Sequence, residues 1–192
     1  LKGMTAQVLL RRTYKVRKGT VVVVHAAAGG VGSILVQWAL HLGAQVIAVV
    51  GSDAKATTVR AMGCKEVLIQ GRDDLAARVR ELTGGQGVDL TVEVGGAATV
   101  DRSVAATRRG GRVALVGLLT GVPGAVSSLF SAGVNVSPVM VGSRDDFEAM
   151  NRAIDFHTLR PLIDSRYPFE QLPDALRHLE TGRHMGKIVI SF

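Results

Sequence analysis

Ala27-Ala28-Gly29-Gly30-Val31-Gly32 is the segment of this sequence whose residue types and spacing best suit a chemical task. It follows the β-branched run Val21–Val24, and after it apolar residues recur at Val31, Ile34, Leu35, Trp38, Ala39 and Leu42, one face of a helix. A tight, small-residue turn between strand and helix lets backbone approach a pyrophosphate, and the free N–H groups at the helix start bind its charge. In this reading Gly29 or Gly30 allows the close approach and Gly32 lets helix pack on strand. Ala27 replaces the first glycine of the usual pattern, so the strand–turn–helix context carries much of the argument. A glycine-rich turn that binds nothing is the plain alternative.

A second group lies at the end of the next strand, where NAD sites offer Asp or Glu to the ribose hydroxyls. Here the residues are Val50-Gly51-Ser52-Asp53-Ala54-Lys55. No carboxylate stands at the strand tip to repel a 2′-phosphate, while Ser52 can donate to it and Lys55 can pair with it. NADPH is therefore expected over NADH. Lys55 also reads as a solvated helix residue and Asp53 as an N-cap. Val94-Gly95, Val116-Gly117-Leu118 and Val141-Gly142 end later strands and add candidates for the cofactor crevice, although each is also an ordinary turn. No residue stands out as a catalytic acid, base or nucleophile.

The elements that must hold these residues alternate. Val46–Val50 is a second strand of continuous apolarity, as a sheet covered on both faces requires. Helices over 53–62, 74–82 and 99–107 alternate with strands over 66–69, 88–94 and 112–116, and 134–141 reads as a sixth strand. Pro138 places that strand at an edge or a bulge. This is the pattern of an α/β doubly wound parallel sheet of Rossmann type. The last forty residues depart from it, with a helix over 145–156, a strand-like piece over 161–169, a helical face through Leu172, Ala175, Leu176 and Leu179, and a strand over 188–190.

The 192 residues carry a net charge of +7, of which +6 lies in Lys2, Arg11, Arg12, Lys15, Arg17 and Lys18. Aromatic residues are only 4%, which argues against a nucleic-acid surface of interleaved bases and rings. A single cysteine, Cys64, excludes an intrachain disulfide and fits a reducing, cytoplasmic setting. The charge-free stretch 19–52 is broken by glycines, His25, Gln37, His41 and Gln45, so no membrane span and no signal peptide are expected. His157, His178 and His184 share no metal-ligand spacing. His25 and Glu93 read as hydrogen-bonded polar residues near strand ends, and Arg108, Arg109 and Arg112 as solvated. Arg183 and Lys187 either approach the cofactor phosphates or lie in solvent.

Leu1-Lys2-Gly3-Met4-Thr5-Ala6, Leu9-Leu10-Arg11-Arg12-Thr13-Tyr14 and Val24-His25-Ala26-Ala27-Ala28-Gly29-Gly30-Val31-Gly32 resemble the start of the cofactor domain of quinone oxidoreductases, in the medium-chain dehydrogenase/reductase superfamily. His178-Leu179-Glu180-x-Gly182-x-His184-x-Gly186-Lys187-Ile188-Val189-Ile190 is similar to the superfamily's C-terminal end, and Val141–Arg144 with Phe147 and Met150–Ala153 looks like its bacterial alcohol dehydrogenases. The resemblance implies an NADPH-binding Rossmann domain over 1–155 and, over 156–192, the returning piece of a GroES-like catalytic domain whose larger part would precede Leu1. Lys2 stands where zinc-dependent relatives place a Cys ligand, which implies the zinc-independent branch. Gln70-Gly71-Arg72 replaces the Asn-Tyr-Arg of quinone reductases, so Gly71 brings no ring to the adenosine phosphate. The implied activity is transfer of hydride or electrons from nicotinamide to a small-molecule quinone or enone, with the 192 residues alone binding cofactor but turning over little. An alcohol dehydrogenase or enoyl reductase, a nucleic-acid module and a methyltransferase remain as rivals. A homodimer through the edge strand is expected.

Overall fold

The structure is a computed structural model that describes residues 1–124 and 129–192. Lys2–Gln7 (α1) runs into a π-helical turn over Val8–Thr13, whose Leu9 and Leu10 are fully buried. Six parallel strands follow: Val21–Val24 (β1), Gln45–Val50 (β2), Glu66–Ile69 (β3), Val88–Glu93 (β4), Thr107–Leu115 (β5) and Asn135–Pro138 (β6). Their order in the sheet is β3-β2-β1-β4-β5-β6. The chain thus builds outward from β1 to β3, then returns to place β4 against the other side of β1. That reversal leaves a crevice between the carboxyl ends of β1 and β4, the place where such sheets bind ligands.

The continuous apolar runs of the strands serve two cores at once, because successive side chains point to opposite faces. Val22, Val24, Val46, Ala48 and Val50 pack on one face with Gly32–His41 (α2) and Asp53–Ala61 (α3), and Val23, Ile47 and Val49 on the other with Leu75–Leu82 (α4). Ser52 caps α3 by accepting from the Lys55 N–H at 3.4 Å, so Asp53 belongs to the first turn rather than the cap. It pairs instead with Arg72 across two exposed side chains, an arrangement worth little. Arg144–His157 (α7) is started by a capping box between Ser143 and Asp146.

The basic start of the chain packs against α7. Arg12 reaches the buried Asp146 carboxylate at 2.8 Å, and the absent side chain of Gly3 makes room for Met150, so α1 docks on α7. The Ser143 backbone N–H, outweighing the cost of burial and helped by Arg12, holds the Asp146 carboxyl below its ordinary range. Arg108 is also not simply solvated: its Nε donates to Asp89 at 2.7 Å, and Asp89 in turn accepts from the Val21 N–H and the Tyr14 hydroxyl. This cluster ties β1, β4 and β5 at the end opposite the crevice.

Val100–Ala106 (α5) closes the second face, and β5 begins five residues earlier than the sequence pattern suggested, running through the Gly110-Gly111 bend. β6 is an edge, pairing with β5 alone among the described residues, and covers four residues rather than 134–141. Pro138 sits at its last position, where a missing N–H costs no interior ladder bond. A short helix, Leu129–Ala132 (α6), precedes it. The tail forms a separate parallel pair, Ile163–Pro168 (β7) with Lys187–Ser191 (β8), flanked by Leu172–Glu180 (α8). No helix among the described residues is long and apolar enough to cross a membrane.

Cys64 is buried, and its thiol donates to the Val46 carbonyl at 3.3 Å. Burial, only partly offset by those backbone bonds, pushes the thiol up to about 11. A thiol reagent near neutral pH is expected to label the native protein at least about 100-fold more slowly than the urea-unfolded chain, because both thiolate fraction and access are suppressed. Equal labelling rates would contradict that placement.

Candidate functional site

The turn from β1 to α2 opens with Ala26 at φ 48°, a conformation an alanine adopts at a cost. Behind it the chain folds back on itself. The Gly29 N–H donates to the Ala26 carbonyl at 2.8 Å, and Ala27, fully buried, donates to Val49 of β2 at 3.1 Å. A Cβ on Gly32 would lie 2.4 Å from the Ala26 oxygen and 2.7 Å from the Ala27 Cα, so this glycine is what lets α2 start flush against the turn. Val31, the N-cap of α2, supplies no side-chain cap, and the Val31 and Gly32 N–H groups have no partner among the described residues. They are free donors at the positive end of a helix.

Two adjoining cavities meet at this turn. One, of about 310 Å³, is walled by Ala26, Gly29 to Gly32, Val92, Val94, Val116 and Gly117, with Lys2 at its rim and His25 at its base. The other, of about 390 Å³, lies over β2 and is walled by Ala26, Ala28, Gly29, Val50, Gly51, Lys55, Gln70, Gly182 and His184, with Leu119 shared between the two. Among the described residues neither wall contains an Asp or Glu; Lys2 lines the first and Lys55 the second, and Lys187 lies over Gly30. The floor is anchored from below by Glu93. This carboxylate is fully buried and accepts from the Gly95 N–H at 2.6 Å, the Gly96 N–H at 3.2 Å, the Thr99 hydroxyl at 2.7 Å and the Ser103 hydroxyl. His25 bonds the same Ser103 at 3.0 Å. Burial lowers the His25 pKa below its ordinary 6.5 against the pull of Glu93, so the ring is neutral at pH 7. Both residues hold the crevice floor through Ser103.

The structure gathers most of the expected cofactor residues around one crevice: Ala28, Gly29, Gly30, Val31, Gly32, Lys55, Val94, Val116 and Gly117. Others fall outside its walls. Ala27 packs beneath the turn, Ser52 is spent on capping α3, and Gly95 turns its N–H inward to Glu93. Leu119, rather than Leu118, faces both cavities, and Val141 lies beyond the edge strand. The sequence reading gave no site role to Gln70, Leu119, Gly182 and His184. Of these Gln70, Gly182 and His184 had a visible signal, their place in the two motifs compared with the family, and Leu119 had none.

That motif comes back to the crevice. Gly29 and Gly186 form an isolated parallel bridge, with the Gly186 N–H donating to Ala28 at 2.7 Å. Lys187 passes over Gly30, where an added Cβ would meet its Cδ at 2.9 Å and the Lys2 Cγ at 3.4 Å. The Lys55 ammonium donates to the Gly182 carbonyl at 2.6 Å. Free helix-start N–H groups, a cradle kept open by Gly30, a carboxylate-free cationic wall and an unpartnered buried Nδ1 on His184 together fit a phosphorylated dinucleotide.

A family model described as zinc-binding dehydrogenase matches residues 30–155. The chain belongs to the medium-chain dehydrogenase/reductase superfamily and is quinone oxidoreductase-like. A 2-haloacrylate reductase from a Burkholderia species is 35% identical over 206 residues, covering 99% of this chain and 61% of that protein. A mycobacterial protein solved with NADPH superposes with a TM-score of 0.88 at 36% identity, covering 99% of this chain and 63% of its own. The Escherichia coli quinone oxidoreductase solved with NADPH gives a TM-score of 0.88 at 28% identity, covering 100% of this chain and 63% of its own. This chain thus spans about three fifths of the length of these relatives. Among the described residues no three His, Cys, Asp or Glu side chains gather.

Proposed function

We propose that this chain is the NADPH-binding part of a quinone oxidoreductase-type reductase, acting on a quinone or an enone. The observation that carries the proposal is the crevice itself, in which free N–H groups of Val31 and Gly32 meet walls that hold Lys2 and Lys55 and, among the described residues, no carboxylate. Two NADPH-complexed relatives of the same fold support it. A bound nicotinamide dinucleotide would supply the hydride. This chain's own residues bind and orient: Val31 and Gly32 donate to the diphosphate, Lys55 neutralises a ribose phosphate, and Val92, Val94 and Val116 give the inner cavity an apolar wall that excludes water.

Residues 1–155 serve in this reading as the cofactor domain, and 156–192 as the returning segment of a GroES-like catalytic domain. Pairing of β6 with its symmetry mate would make a homodimer, which its open edge supports. Titration with NADPH and NADH, followed by nicotinamide fluorescence, tests the cofactor assignment. NADPH is expected to bind at least about tenfold more tightly, a difference of about 1.4 kcal/mol. No binding of either, or a tenfold preference for NADH, overturns it.

A further inference from the structure

We propose that His184 senses the 2′-phosphate of the cofactor by taking up a proton from solvent when that phosphate enters the cavity beside Lys55, so that preference for NADPH over NADH rises as pH falls. This deepens the NADPH reading above and rests on it. The segment that carries His184 is fixed on both sides. Lys55 holds the Gly182 carbonyl at 2.6 Å, the Thr58 hydroxyl donates to the Met185 sulfur at 2.9 Å, and Gly186 is bonded to Ala28 of the glycine-rich turn. The Met185 N–H is held by Asp164 of β7 at 2.8 Å. His184 is thereby set in the cavity wall with Gly51 and Lys55, the side where an NAD site would offer a carboxylate.

The ring is poorly served there. Its Nδ1 is buried and has no hydrogen-bond partner among the described residues, a condition that native proteins rarely leave unanswered. The charged and titratable groups facing it are Lys55 from α3, Asp164 from β7, His178 from α8 and Lys187 from β8. Burial first, then Lys55, His178 and Lys187, disfavour a charged imidazole, and only Asp164 favours one. The Asp164 carboxylate is already engaged, by the Met185 N–H and, at 3.6 Å, by His178. The free protein therefore holds His184 neutral at pH 7, with its pKa below 6.5.

A phosphate dianion reverses this balance. It supplies the acceptor that Nδ1 lacks and adds negative charge to that of Asp164 against the surrounding cations, which raises the pKa in the complex. A pKa raised on binding means that the added affinity is fully present below the free value and is lost as pH rises through the bound value. The phosphate contributes with the opposite sign: its own second ionisation lies near pH 6, and Lys55 pulls that proton off. The two contributions separate on replacing the histidine.

Calorimetry of the full chain at pH 6 to 8, in two buffers of different ionisation enthalpy, counts protons on binding NADPH, NADH and 2′,5′-ADP. Net uptake is expected at pH 7 with NADPH and 2′,5′-ADP and none with NADH, and the NADPH:NADH affinity ratio should grow by up to about tenfold per pH unit on acidification. His184→Gln should abolish the uptake and flatten the ratio. Binding of NADPH without proton uptake, or an unchanged pH slope in His184→Gln, overturns this inference alone. Failure of both dinucleotides to bind overturns it together with the cofactor assignment. The proton count in the unaltered protein decides the matter even if the variant does not fold.

Discussion

Gly32→Ala is expected to cost about 3 kcal/mol of stability, lowering the melting temperature by about 6–12 °C, and to weaken NADPH binding by about 100-fold. The three atoms that a Cβ at this position would meet, at 2.4, 2.7 and 2.9 Å, are all backbone of Ala26 and Ala27. None can swing aside as a side-chain tip would, so the start of α2 must move away from β1. That movement carries the Val31 and Gly32 N–H groups out of position, and losing two hydrogen bonds to a charged group accounts for the binding loss. Gly124→Ala is the matched control, since among the described residues nothing lies within 4 Å of its added Cβ. Thermal melts with a cofactor titration measure both effects. A Gly32→Ala protein with normal melting and normal affinity would show that the turn and helix are not in contact as described.

Glu93→Ala should be more damaging to the fold, by about 4 kcal/mol or more in urea unfolding, because it strands several buried donors at once. The Gly95 and Gly96 N–H groups and the Thr99 and Ser103 hydroxyls all lose their acceptor in a space closed to water. Glu93→Gln keeps the shape and one carbonyl oxygen for the two N–H groups, and the Ser103 hydroxyl can turn to accept from the new amide. A loss of about 1–2 kcal/mol is expected from it. The ordering of the two variants distinguishes an anchoring carboxylate from a catalytic acid. An acid would lose turnover in both variants with stability intact, and that outcome would refute the structural role.

Much of the fold is written locally. Val21–Val24, Val46–Val50 and the helical face through Leu35, Trp38 and Ala39 announce their elements by period alone, and the glycine spacing announces the turn between them. What stays hidden depends on partners far along the chain. Arg108 gives no sign of Asp89 and Tyr14, because a guanidinium beside a Gly-Gly bend looks the same in solvent as in a cluster. Spacing rules weigh His184 only as a metal ligand, and nothing near it in sequence marks Lys55 as its neighbour. Lys187 was legible as a phosphate candidate through the family's C-terminal motif, but its passage over Gly30 needs the folded tail. Leu118 and Leu119 differ by one position in a loop, where no period tells which side chain turns inward.

The bridge between Gly29 and Gly186 joins points separated by most of the chain. Closing so long a loop carries an entropic cost that neighbouring strands do not bear, and contacts of that separation form late in folding. The central sheet can assemble while the rim of the crevice is still open. A ligand that touches both the turn and the tail binds only the fully closed chain, and so adds its binding free energy to that last step by mass action. Under the cofactor assignment proposed above, cofactor concentration sets how long the tail stays docked, which makes the supply of reduced dinucleotide a determinant of resistance to proteolysis in this tail segment.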